Sequence, residues 1–333
     1  MEIRNPIRLA YGLGLLVCLS AVPGLAQSPE DIELRKSAGQ TKLRFGAIGV
    51  LEDSIGLNKD RPEHQMSLYV APALKIGAAM RAQVNFRFGR DMLSRMDNYG
   101  WWYDDLSIEF AHNQIYKEPV TGITFSGRVR YYVPMSKQSR LEGSLGQLRG
   151  YLKTSVSLWK FYLAAELNGQ KYFHKHTTWD TGETPGSSAW YHQGGRDEAI
   201  DNNSSFGFGE TFTATFTPFD GLDLSVIWGL YQNRRYQPSK DHSADWGSSF
   251  LQDARWTTWS HNAKFIADVT YGIGAIPGIS TSEVLKDSVL NNFYLSAGYY
   301  SLAPQLQLEG AKRSLNPFNP KYASIYFDLT FVY

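Results

Sequence analysis

The chain has 333 residues, with 33 basic against 32 acidic side chains, one cysteine and 14% aromatics, and a mean hydropathy of -0.33. The balanced charge excludes a basic face for nucleic acid and gives no ground for recruitment to a membrane surface by charge. The hydropathy is low for a helical membrane protein and the aromatic share is high for a soluble domain, whereas a closed sheet with an apolar outside and a polar inside reconciles the two.

At the N-terminus, Arg4 and Arg8 precede an apolar run from Leu9 to Val22, and Gly24-Leu25-Ala26 offers the small residues a signal peptidase reads. Residues 1–26 therefore read as a signal peptide cleaved before Gln27. Cys18 lies inside that run behind the bulky Val17, which argues against lipoprotein processing, so the mature chain is expected to carry no thiol. Residues 27–40 read as a short periplasmic arm. There Ser28 caps, Pro29 opens and Asp31 closes the first turn of a short helix continuing to Lys36. Residues 41–333 read as one barrel domain.

From Thr41 onward the pattern has period two, as a strand with lipid on one side and water on the other requires. Ile76, Met80, Val84, Phe86 and Phe88 alternate with Arg81, Gln83, Asn85 and Arg87, and Ile123, Phe125, Val129 and Tyr131 alternate with Thr124, Ser126, Arg128 and Arg130. About twelve such segments begin near Thr41, Gln65, Ile76, Tyr103, Val120, Gln147, Phe161, Ser204, Leu222, Arg255, Asn291 and Tyr322. Ten or fourteen strands remain as alternatives, since an even number closes an antiparallel barrel. Connections after odd-numbered segments are long, such as Lys175 to Asn203. Those after even-numbered ones are mostly short, at Pro72 to Lys75, Gln114 to Pro119, Trp159-Lys160 and Pro218 to Gly221. Trp159-Lys160 is poor hairpin chemistry, yet the apolar phase flips there from Leu152, Val156 and Leu158 to Phe161, Leu163 and Leu167. Glu210 falls on the apolar face of its segment, which predicts a bulge or a shifted register.

The last segment places Ile325, Phe327, Leu329, Phe331 and Tyr333 on one face and Ser324, Tyr326, Asp328 and Thr330 on the other. This terminal alternation with a final aromatic resembles the closing strand of Gram-negative outer-membrane β-barrels of the porin-like superfamily. The resemblance implies that Phe327, Leu329, Phe331 and Tyr333 form the signal read by the barrel-assembly machinery, and that outer-membrane lipid surrounds the protein. Tyr at the end departs from the commoner Phe. The expected fold is an all-β antiparallel transmembrane barrel located in the bacterial outer membrane.

On this register the inward face carries Lys42, Arg44, Arg81, Arg87, Arg128, Arg130, Arg149, Lys153 and Lys264, together with Asp105, Glu109, Glu166, Asp223, Asp268 and Asp328. A basic excess would favour anions, whereas pairing across strands would simply fill the interior. The expected function is passive diffusion of small hydrophilic solutes with a weak anion preference. The alternative is an adhesin or receptor that presents its loops above a blocked lumen. His174, His176, His192, Asp180 and Glu183 match no metal-ligand spacing. Ser260 and His261 are adjacent on a strand and point to opposite faces, and no Gly-x-Ser-x-Gly or phosphate loop occurs, so no enzyme, cofactor or metal is expected. Nothing in the sequence speaks to oligomeric state.

Overall fold

In a computed structural model, the residues described are 43–58, 63–92, 101–176, 178–180, 200–236, 259–276, 279, 289–304 and 318–333. The signal peptide, the arm with its short helix, Lys42, and much of the long loops that hold His192 and Glu183 lie outside the described residues.

The period-two segments become strands. These are β1 (Arg44–Gly56), β2 (His64–Ile76), β3 (Met80–Asp91), β4 (Trp101–Tyr103), β5 (Leu106–Lys117), β6 (Thr124–Val133), β7 (Ser144–Leu158) and β8 (Phe161–His174). There follow β9 (Thr178–Asp180), β10 (Ile200–Asn202), β11 (Ser204–Phe219), β12 (Leu222–Arg235), β13 (Trp259–Gly272), β14 (Phe293–Pro304) and β15 (Ala323–Val332). Twelve of them form one antiparallel ring, each paired with its neighbours and closed by β15 against β1 over Ile48↔Val332 to Gly56↔Ser324. The ring satisfies every edge, the condition that lets a sheet cross a bilayer. Strand β4 extends the upper end of β3 beside β5, and β9 and β10 form a separate small ribbon in the loop after β8.

Side-chain exposure follows strand parity. Phe110, Leu152 and Leu167 are about three-fifths exposed on the outside, while Gln83, Asn85, Ser107 and Glu109 are buried within. Aromatics flank the outer band: Trp101 at the long-loop end, and Trp159 with the stacked Phe161 and Phe216 at the short-turn end. This greasy exterior around a polar core places the protein in a bacterial outer membrane.

Several boundaries differ from the sequence reading. Strand β2 runs through Pro72, and the turn lies at Gly77–Ala79, with Gly77 at φ 66°. Pro72 has no N–H to give; the ladder to β3 skips Ala71 and Pro72 and resumes in the same register at Ala73↔Gln83. Strand β5 continues past Gln114 to Lys117 across an irregularity between His112 and Tyr116. The two-residue turn at Trp159-Lys160 is present, with Leu158 opposite Phe161 and Trp159 taking a φ of 53°. Asn168-Gly169 lies inside β8. Glu210 faces outward with no bulge: it is opposite Leu167 on one side and Leu230 on the other, and the shifts in β11 occur at Ser204/Phe206 and Phe216/Phe219.

Candidate functional site

The lumen is built by one face of each strand, so its chemistry is set by parity and then by which strands meet. On β3 the odd positions point inward and bring Arg81, Gln83, Asn85 and Arg87 to the interior; on β5 they bring Ser107 and Glu109. Glu109 is fully buried and sits between two guanidinium groups. Arg81 Nη2 donates to its Oε1 at 3.1 Å, and Arg130 donates to Oε2 through Nε at 2.7 Å and also through Nη2. Farther along the wall, Arg128 from β6 reaches across β7 to Glu166 on β8 at 3.0 Å. Arg87 reaches Glu52 at 2.6 Å and Ser67 Oγ at 3.0 Å. These charge-assisted bonds support the pairing half of the sequence reading.

Pairing does not use every cation. Arg149 on β7 has no carboxylate partner among the described residues; its Nη1 donates to the Tyr151 hydroxyl at 3.4 Å, and the guanidinium lies 5.5 Å from the Tyr132 ring centre. Arg128 stacks over Tyr151 at 4.1 Å and Lys153 over Tyr162 at 5.3 Å. Tyrosine faces thus hold these side chains in place, and at Arg149 they do so without neutralising the charge. The arc from β3 to β8 carries Arg81, Arg87, Arg128, Arg130, Arg149 and Lys153 against Glu109 and Glu166. The arc from β12 through β15 to β1 carries Asp223, Asp268, Asp328 and Glu52 against Lys264. Glu52 and Asp328 are direct cross-strand partners, and the Tyr326 hydroxyl donates to Asp268 at 3.3 Å. One arc of the lumen is basic and the other acidic.

Neutral groups complete the wall. The Tyr69 hydroxyl donates to Asn85 at 2.5 Å, and Asn85 donates on to Ser107 at 3.0 Å. Gln147 donates to Gln170 at 2.8 Å, and Gln170 to Asn233 at 2.6 Å. That last bond spans β11 above Gly207, where an added Cβ would fall 2.1 Å from Asn233 Oδ1 and 2.6 Å from Gln170 Nε2. Only glycine leaves the space.

Most of the predicted lining residues fall on the inward face, with two corrections. Asp105 does not line the wall: it sits above β5 and accepts from the backbone N–H groups of Met135 and Ser136 at 2.9 and 2.8 Å, and from the Ser139 hydroxyl. It anchors the β6–β7 loop and its short helix α1 (Lys137–Leu141) beside the mouth. Its missing N–H partners came from a loop that parity cannot foresee. Arg44 has the inward parity but is exposed at the short-turn end of β1, opposite Lys75, so it belongs to the rim. The sequence reading left out Glu52, although the even-numbered alternation from Gly46 through Val50 continues to it. It also missed the tyrosines that carry the arginines, because an inward Tyr looks like any aromatic. At the closing strand, Phe327 and Tyr333 are exposed on the outside, and Tyr333 and Ala47 exchange backbone hydrogen bonds of 2.8 and 2.9 Å that complete the ring.

The fold and lumen define the chain as a closed, twelve-stranded outer-membrane β-barrel. Among solved structures it is similar to an outer-membrane channel from Pseudomonas putida F1, with a TM-score of 0.51 at 9% identity over 89% of this chain and 97% of that one. It is more distantly similar to the NanC porin (TM-score 0.41, 8% identity, 87% and 98% covered) and to OccD3 of Pseudomonas aeruginosa (TM-score 0.39, 9% identity, 94% and 99% covered). At 9% identity the first likeness is one of fold alone. No protein-family model and no curated protein matches the sequence.

Proposed function

We propose that the barrel is a passive channel for small hydrophilic solutes that favours anions. The observation that carries this reading is the surplus of cations on the β3–β8 arc, above all Arg149, which is held by Tyr132 and Tyr151 and has no carboxylate partner among the described residues. A cation kept charged at the wall raises the local concentration of anions and lowers that of cations. The paired arginines contribute less, since each shares its field with Glu109, Glu166 or Glu52.

Reconstitution in a planar bilayer tests it. The wild type is expected to show discrete conductance steps and a reversal potential on the anion side in a salt gradient. Replacing Arg149 by Ala should move that potential towards cations, and the combined Arg128→Ala/Arg130→Ala variant should move it further. Unchanged selectivity in both variants overturns the anion preference. A silent wild-type barrel overturns the channel and favours a surface role for its loops.

A further inference from the structure

The outer wall carries a second arrangement that transport does not use. On β8 the odd positions face lipid, and Lys171 stands at the extracellular end of that face; Phe206 on β11 is its cross-strand partner, and Arg234 on β12 is the next in the same row. Both cations are exposed. Neither has a carboxylate partner among the described residues: the Arg234 guanidinium lies 5.6 Å from the Phe206 ring centre, and the Lys171 ammonium 5.8 Å from that of Tyr236. Two strand spacings put their backbones about 10 Å apart, so the two side chains can close on one phosphate.

Below Lys171 on the same face is Gly169, directly opposite Gly150 on β7. A Cβ built on either glycine meets nothing within 4 Å. The pair leaves a depression that opens into an oblique groove of about 800 Å³, walled by Leu167, Leu152, Val129, Phe110 and Met80. Such a groove on a lipid-facing wall accepts an acyl chain at a depth set by the cation pair above it. Glu210, four residues deeper than Phe206 on β11, lies about 13 Å below the cation row by strand rise and stays clear of a headgroup held there.

We propose that this wall, with Lys171 and Arg234 over the Gly150–Gly169 groove, is a binding site for a phosphorylated, acylated lipid of the outer leaflet. The charge pair fits an anionic headgroup and the groove fits its chain. Free phosphate would engage the cations alone, so the continuity of the two favours the lipid.

The test is native mass spectrometry of the full-length barrel released from detergent after incubation with lipid A, with inorganic phosphate and phosphatidylethanolamine as separate arms. The wild type is expected to retain one lipid A and to show no comparable retention of the other two. Lys171→Glu/Arg234→Glu should reduce the retained fraction at least tenfold, as should Gly150→Leu/Gly169→Leu, which keeps the cations. Arg90→Glu, at the extracellular end of β3 and away from the groove, should leave retention unchanged. Each variant is first shown to be folded by its different gel mobility before and after boiling. Retention equal to wild type in Lys171→Glu/Arg234→Glu overturns the site, as does an equal loss in Arg90→Glu. Equal retention of inorganic phosphate overturns the lipid as its occupant.

Discussion

Glu109 and Glu210 are both carboxylates within the barrel wall, on opposite faces of it. Glu109 points inward, is fully buried and accepts from Arg81 and Arg130. Glu210 points outward between Leu167 and Leu230 and has no hydrogen-bond or ion-pair partner among the described residues. A charge in such a wall is governed by what stands across from it. Inside, the neighbouring strands supply guanidinium groups whose attraction offsets the lost hydration. Outside, they supply leucines.

The largest effect should come from the inner carboxylate. Replacing Glu109 by Ala leaves Arg81 and Arg130 without their acceptor, and breaking such a pair from one side costs about 3–5 kcal/mol. Denaturant unfolding of the barrel in liposomes should show that loss. A loss below about 1 kcal/mol would put the site in the range of exposed pairs, with lumen water taking over the work of the carboxylate.

The outer carboxylate should behave in the opposite way. Lipid-facing acids cost less than the roughly 2–4 kcal/mol of lipid-facing bases, so Glu210→Leu should stabilise the barrel by about 1–2 kcal/mol. The same unfolding measurement checks it. A destabilised Glu210→Leu barrel would mean that a partner outside this chain engages the carboxylate.

The smallest effect belongs to a carboxylate outside the membrane. Glu118, in the turn between β5 and β6, accepts from the Thr121 hydroxyl at 2.5 Å and from the backbone N–H groups of Thr121 and of Val120, the latter at 3.1 Å. Bonding by Thr121 first, and then by the backbone donors, holds its carboxyl below the usual carboxylate range. Its contribution to stability is therefore full above the unfolded-state value and lost as pH falls through the folded one. Glu118→Ala should lower stability slightly at neutral pH and match the wild type in strong acid. A difference that persists in acid would point to the turn backbone instead of the charge.

Strand number, approximate boundaries and the inward or outward sense of most side chains were legible in the sequence. They follow from the pleat, which reverses side-chain direction at every residue and needs no distant information. The phase change at Trp159-Lys160 was enough to place a turn whose residues argued against it, and the outward place of Glu210 was visible for the same reason. What parity could not supply was partnership. Glu52 reaches Arg87, Glu109 is shared by Arg81 and Arg130, and Asp105 turns to the loop after β6. Gly207 leaves room for Gln170 to meet Asn233. The opposition of Gly150 to Gly169, on which the outer groove rests, likewise depends on the register of two neighbouring strands. Register is set by how the strands slide past one another when β15 closes on β1, and that closure joins the two ends of the barrel-forming chain, so only the folded ring decides which charges meet.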